Sequence, residues 1–200
     1  MKIKQEIREI RIEKIKSLYE LIIKQNEKNK EKLYSNLKKN FDEKETIDLM
    51  YKFLENNLSI ILKEIKQMYK SYHKTKVIQL KNLLYNEDDK TLNERIKDWF
   101  KEYDKDQILN LFTHLCLILD TETFRMIPRV IKEKTEAIYV EIIGDPSDCD
   151  GLCVDWIDGE VHLEDDIDLP PYHPSCQCEA VFYEKSDIVN DLEKIEEKDG

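Results

Sequence analysis

Residues 138–153 read IYVEIIGDPSDCDGLC, and the composition of the chain changes across this stretch. Its first six residues are β-branched or aromatic with one glutamate among them, which predicts a strand over 138–143. Residues 1–127 contain neither glycine nor proline, the two residues that helix interiors disfavour most. The sequence therefore predicts a nearly all-helical N-terminal part and a different C-terminal part, with a boundary near 138–144.

The spacing of apolar residues supports helices before this boundary. One stripe follows 4-3-4-3 spacing along a single helix face: Leu54, Leu58, Ile61, Ile65 and Met68. Asn40 and Asp42 can cap the start of that helix. Further helices are expected at about 91–103, 106–119 and 121–137. The last of them should kink or restart at Pro128, because proline lacks the amide hydrogen that a helix interior uses.

These patterns predict an α+β fold, in which a mostly helical N-terminal region precedes a small C-terminal domain that contains β-strands and is held by zinc. A second strand is expected at 181–183, just after the last cysteine. We divide the chain into a helical arm or bundle, a cysteine-rich domain and an acidic tail, at residues 1–105, 106–185 and 186–200.

Four of the five cysteines fall in two close pairs, one in the opening stretch and one in PPYHPSCQC at 170–178. Two thiol pairs about twenty residues apart suit a single tetrahedral zinc ion, because each pair can chelate from a turn. The candidate ligands are Cys149, Cys153, His173, Cys176 and Cys178. Zinc takes four, so one is in excess. His173 is the first to leave out. One of Cys176 and Cys178 is next, because a single residue between two cysteines leaves little room for both to bind the same ion.

Two other interpretations of the cysteines stay open. A disulfide framework needs an oxidising compartment, whereas the N-terminus has no secretory signal. Buried thiols without a metal are the third interpretation, and Cys116, on the apolar stretch 111–119, is interpreted as an ordinary core residue.

Catalytic motifs are few. His162-Leu-Glu164 followed by Pro174-Ser-Cys176-Gln-Cys178 partly matches the zinc deaminase signature, but one residue instead of two separates the cysteines. We reject that match and interpret His162 as a surface residue. No P-loop, nucleophile elbow or dinucleotide fingerprint occurs in the sequence, so it predicts no enzyme.

The net charge and its distribution along the chain limit the classes of partner that the protein is expected to bind. The 200 residues carry 32 basic and 43 acidic side chains, a net charge of −11, which disfavours a general nucleic-acid binder. Residues 1–40 hold 12 basic and 6 acidic residues, whereas 141–200 hold 3 and 19. No apolar run is long enough to span a bilayer. We expect a soluble protein in a reducing cytosol.

The order of motifs also resembles a known family. The C-terminal part of the chain is similar to the C-terminal domain of the phage Mu F-like minor head proteins, the phage head morphogenesis family. The likeness lies in the order of its motifs, which is a strand, Cys-x-x-x-Cys, Asp158-Gly159, an acidic loop and Pro-Pro-x-His-Pro-x-Cys-x-Cys. Thr121-Glu122-Thr123 with Arg125 looks like the element that opens the family's helix before its strand. The likeness covers about residues 108–183. The family usually has arginine where this chain has Gln177 and Asp120, and often two residues inside the first cysteine pair instead of three.

The resemblance implies a non-enzymatic minor capsid protein of a tailed phage or prophage, with structural zinc. Its expected partners are the portal protein and other head proteins, with phage DNA as a further candidate and no membrane. Its expected place is the virion head at the portal vertex, or the host cytoplasm during assembly. The alternative is a cytosolic zinc-binding adaptor or regulator that contacts nucleic acid. A metal-dependent hydrolase ranks last, because four thiolates leave no open coordination position.

Overall fold

A computed structural model of the chain describes residues 2–39, 42–74, 92–145, 147, 151–173 and 176–189. Within them the helices are α1 Gln5–Lys39, α2 Glu43–Met68, α3 Leu92–Glu102, α4 Lys105–Asn110, α5 Phe112–Lys134 and the short α6 Gly151–Val154. The strands are β1 Tyr139–Ile143, β2 His162–Leu163 and β3 Glu179–Tyr183. The predicted α+β class, with N-terminal helices and a small C-terminal β region beside a cysteine cluster, is confirmed.

Helix α2 begins where the sequence predicts. Asp42 is its N-cap, and the Asp42 carboxylate accepts a 2.8 Å hydrogen bond from the backbone N–H of Glu45. Asn40, the other candidate cap, lies outside the described residues. The predicted stripe faces the core, where Leu54, Ile61 and Ile65 are fully buried.

The predicted division of 106–137 into two helices with a gap at residue 120 is wrong. The break falls at Leu111, between α4 and α5, and α5 continues through both Asp120 and Pro128. The Asp120 carboxylate accepts hydrogen bonds from Asn26 and Lys30 of α1 instead of ending a helix. Pro128 starts no new helix, because the α5 side chains on both sides of it are held in the core.

The three strands form an antiparallel sheet in the order β2-β1-β3. In the pairing of β1 with β3, Val140 lies opposite Phe182 and Ile143 opposite Glu179. Both predicted strands are present, and β3 begins two residues earlier than expected. The two-residue strand β2 has no counterpart in the sequence predictions.

One hydrophobic core joins the helices to the sheet. It contains side chains of α1, α2 and α5, residues of β1 and β3, and the three described C-terminal cysteines. The core is continuous across residue 105, where the sequence analysis places a division. The first and the last described segments also meet, since Ile3 forms a β-bridge with Ile188. None of the described helices has the length and apolarity to cross a membrane.

Candidate metal centre

The pairing of β1 with β3 brings the two cysteine motifs together. Ile143, the last residue of β1, lies opposite Glu179, the first residue of β3. The segment that follows β1 leads to Cys153, and the segment that precedes β3 carries Cys176 and Cys178. Both segments therefore lie at the same end of the paired strands. Cys153 sits in the short helix α6, and the backbone N–H of Trp156 donates to the Cys153 carbonyl in the turn that follows it.

The sulfur atoms form a compact group. The Sγ atoms of Cys153, Cys176 and Cys178 all lie within 4.8 Å of one another, and those of Cys153 and Cys176 are 3.8 Å apart. A disulfide bond is about 2.05 Å long, so Cys153 and Cys176 are not bonded to each other. Two sulfurs of a tetrahedral zinc site with Zn–S bonds of about 2.3 Å are about 3.8 Å apart. The three thiols are therefore placed where they could hold a metal ion.

His173, which the sequence analysis ranks as the first candidate to leave out, lies beside Cys153 but is not among the residues whose donor atoms all lie within 4.8 Å of one another. Its Nε2 atom lies 3.1 Å from Cys153 Sγ. The backbone N–H of Cys176 donates to the His173 carbonyl at 3.1 Å, which closes the turn between the two side chains. One imidazole nitrogen therefore lies next to one of the three sulfurs. Cys149, the remaining candidate, lies outside the described residues.

The group is closed to solvent on the sulfur side. Cys153, Cys176 and Cys178 are 0%, 7% and 2% exposed, and His173 is half-buried. Gly144, just after β1, makes the close packing feasible, because a Cβ atom there would lie 3.1 Å from Cys178 Sγ. A buried set of soft donors with little water access is typical of a structural metal site.

The surroundings of the sulfurs are low in polarity. Burial raises the pKa of the Tyr172 hydroxyl, and the nearby sulfurs of Cys178, Cys176 and Cys153 raise it further. That hydroxyl donates a 2.9 Å hydrogen bond to the Asp168 carbonyl. Burial also raises the pKa of the Glu179 carboxyl, beside Cys178 in sequence, to about 7. Burial is the largest cause of both shifts, so both side chains lie in surroundings that disfavour negative charge.

The other candidates of the sequence analysis lie outside this group. Cys116 is a buried residue of α5, and burial raises the pKa of its thiol to about 11. His162 lies in β2, where its Nε2 is 3.0 Å from an Asp158 carboxylate oxygen. Glu164 forms an ion pair with Lys132 of α5. His162 and Glu164 are thus engaged with other partners and do not face the cysteines as a deaminase site would require.

Two polar features near the core were missed by the sequence analysis. The first is a buried chain of hydrogen bonds between α1, α2 and α5, in which Asn57 donates to Asn26 and Asn26 donates to Asp120, each at 2.7 Å. A signal for it exists, because Asn26 continues the buried stripe of α1 four residues after Ile22. The second is the burial of the Tyr19 hydroxyl. The sequence signals it only by placing a tyrosine on the same stripe of α1.

No protein-family model, curated protein or solved structure matches this chain. The likeness to minor head proteins therefore depends on the motifs quoted above.

Proposed function

We propose that this chain is a minor head protein of a tailed phage or prophage, a structural component that binds the portal during head assembly. The observation that carries the proposal is the meeting of the two cysteine motifs in one buried group. The resemblance to the head morphogenesis family is strongest in the same two motifs. The resemblance implies a structural metal at these motifs, and the closeness of Cys153 to Cys176 and Cys178 supports that part of the proposal.

The ion proposed for the site is zinc, held by Cys153, His173, Cys176 and Cys178. Thiolate and neutral imidazole are the ligands that structural zinc prefers, and four of them complete a tetrahedron. A complete tetrahedron leaves no position for an activated water, so the proposed role is structural. His173 is the proposed fourth ligand because its Nε2 lies 3.1 Å from Cys153 Sγ, and Cys149 is the other candidate for that position.

Zinc at this position would hold the small sheet to the loops that surround it. Structural zinc contributes roughly 10–16 kcal/mol in model peptides. A whole domain has a net stability of about 5–15 kcal/mol. The metal would therefore make the segment between β1 and β3 rigid enough to serve as a docking surface, although the only strand among its described residues is the two-residue β2.

Charge supports a protein partner over nucleic acid. Residues 141–200 carry 3 basic and 19 acidic side chains, and phosphate contacts need clustered lysine and arginine. An acidic surface suits a basic patch on a neighbouring protein, where it would steer association. Contact with phage DNA, if it occurs, would fall to the basic residues of 1–40.

The portal protein encoded in the same genome is the probe that tests this function. Co-expression followed by size-exclusion chromatography should give a complex of the chain with the portal. Cys176→Ser should weaken the complex, because it removes a proposed zinc ligand. Cys116→Ser, which removes a buried thiol outside the group, is the matched control and should leave the complex intact.

Failure of the wild-type chain to bind the portal, together with its absence from purified heads, would contradict the assignment. Retention of cellular RNA by the metal-loaded chain under the same conditions would support the zinc-binding adaptor instead.

A further inference from the structure

Tyr19 of α1 has a buried hydroxyl, and the residue lines the same cavity as Cys176 of the cysteine group. The residue is 7% exposed, and its ring stacks on Phe124 of α5 with centroids 5.1 Å apart and planes at 15°. Within the part of the chain that the structure describes, Tyr19 Oη has no hydrogen-bond partner. A buried hydroxyl without a partner costs free energy, so its position calls for an explanation.

The surroundings of this hydroxyl point to the metal centre. Tyr19, Cys176 and Glu179 line one cavity of about 580 Å³ between α1, α5 and the chain entering β3. Burial raises the pKa of Tyr19, and Glu179 and the sulfurs of Cys176 and Cys178 raise it further. A tyrosine hydroxyl is neutral near pH 7, so it can donate its proton in a hydrogen bond to an acceptor that faces this cavity.

A second tyrosine beside the sulfurs behaves differently. The Tyr172 hydroxyl already donates to the Asp168 carbonyl at 2.9 Å. Of the two tyrosines, Tyr19 is thus the one whose donor is uncommitted. The stacking of its ring on Phe124 limits the directions in which the hydroxyl can turn.

We infer that Tyr19 is a positioning residue for the metal centre, and that its hydroxyl donates a hydrogen bond to the Cys176 or Cys178 sulfur when the metal is bound. This inference rests on the proposed metal site. A thiol is a weak acceptor, but a metal-bound sulfur is a thiolate whose negative charge makes it a better one. Hydrogen bonds to metal ligands orient them and adjust metal affinity. Helix α1, which packs against β3, would in this way be linked to metal binding.

The competing acceptor is Glu179. Its Oε2 atom is also buried and, among the described residues, has no hydrogen-bond partner. A Tyr19 hydroxyl bonded to that carboxyl would stabilise the fold without changing the electronic state of the sulfurs. The two cases therefore differ in the absorption spectrum of a bound metal, because only a hydrogen bond to sulfur changes the energy of the sulfur lone pairs.

Cobalt(II) loading of the full chain is the test, because sulfur-to-cobalt charge transfer is sensitive to hydrogen bonds at the sulfur. Tyr19→Phe should bind cobalt about 10-fold more weakly than wild type. Its charge-transfer band should move to longer wavelength, because loss of the hydrogen bond raises the energy of the sulfur lone pairs. Tyr34→Phe is the matched control. Tyr34 also lies on α1 and packs its ring on a phenylalanine of α5, Phe112, at 4.8 Å.

If Tyr19→Phe has the cobalt affinity and the charge-transfer band of the wild type, the inference is overturned. A higher thermal stability of the same variant would then show that the hydroxyl is buried at a cost and bonds to no sulfur. If Tyr19→Phe does not fold, a crystal structure of the metal-loaded wild type decides. Oη within hydrogen-bond distance of Sγ supports the inference, and Oη turned to Glu179 overturns it. A wild-type chain that binds no cobalt contradicts the metal site itself, and with it the role of Tyr19.

Discussion

Glu141 lies in the middle of β1 with a side chain that is only 1% exposed. Arg8 of α1 forms an ion pair with it, and Arg8 Nε donates to Oε2 at 2.9 Å. The Tyr183 hydroxyl donates to the same oxygen at 2.8 Å. A buried carboxylate is tolerated when its oxygens are bonded in this way. Sequence alone could not reveal these bonds, because the arginine is 133 positions away and the glutamate looks like a solvent-facing strand residue.

Arg8→Ala should lower the free energy of unfolding by about 1–3 kcal/mol, because it leaves the Glu141 carboxylate with too few donors. The loss should be smaller than for a fully buried pair, since the Arg8 side chain is 35% exposed. Urea unfolding followed by circular dichroism measures it. Lys101→Ala, which removes an exposed ion pair with Asp98, is the control and should change stability by less than about 0.5 kcal/mol. Equal, small effects of the two substitutions would contradict the role given to Glu141.

The cysteine group shows how much of a metal site can be predicted from the spacing of residues in the sequence. Spacing predicted a cluster from two motifs, and the structure brings Cys153, Cys176 and Cys178 together. Spacing ranked His173 as the first candidate to leave out, but spacing could not predict the direction of its ring. The ring points to Cys153, with Nε2 at 3.1 Å.

Helix α5 shows where local sequence rules fail. Proline in a helix interior costs about 3 kcal/mol, which is why a kink or a restart at Pro128 was expected. Four side chains around it, Met126, Ile127, Val130 and Ile131, are at most 1% exposed. Burial of each is worth roughly 1.5–3 kcal/mol, so their sum exceeds the penalty of one proline. Tertiary packing therefore decides the course of this helix.

The hydrogen bonds of Asn26 hold α1, α2 and α5 in one register. Asn26 accepts from Asn57 of α2 and donates to Asp120 of α5, and all of these contacts are largely buried. Each of the three helices could otherwise slide along its apolar stripe, because such stripes carry little positional information. The polar bonds would be lost in any other register.

Asn26→Ala should destabilise the chain by about 2–3 kcal/mol, because it leaves the Asn57 amide and an Asp120 oxygen with unmet hydrogen bonds. Thermal and urea unfolding measure the change. Asn56→Ala, at an exposed position of α2, is the matched control. It should be neutral or slightly stabilising, because alanine favours helix more than asparagine does. A neutral Asn26→Ala would show that the buried bonds contribute nothing to the packing of the helices.

Contacts between distant segments link the first described residues to the last and the helices to the C-terminal region. Lys4 N donates to the Asp187 carbonyl at 3.1 Å, and Val189 N donates to the Lys2 carbonyl at 3.0 Å. The Arg11 guanidinium bonds to the Met68 carbonyl at the end of α2 and lies 4.1 Å from the centre of the Tyr69 ring. Composition predicted the helical and β-containing parts, but these contacts between distant segments have no local signature in the sequence.

Chelation of the metal should loosen the sheet more than the helices. In the presence of a strong zinc chelator, amide hydrogens of Tyr139–Ile143 and Glu179–Tyr183 should exchange at least about 10-fold faster, because the proposed ion joins the ends of these strands. Amides in the middle of α2 should change less. The Cys116→Ser chain should respond as wild type does. Exchange that is unaffected by the chelator in both strands would contradict a stabilising metal.

Zinc K-edge X-ray absorption on the purified full chain, combined with metal content per chain, tests the central claim most directly. We predict one zinc ion per chain, with three sulfur neighbours at about 2.3 Å and one nitrogen at about 2.0–2.1 Å. A chain with no zinc, or zinc surrounded only by oxygen and nitrogen atoms, would contradict the account.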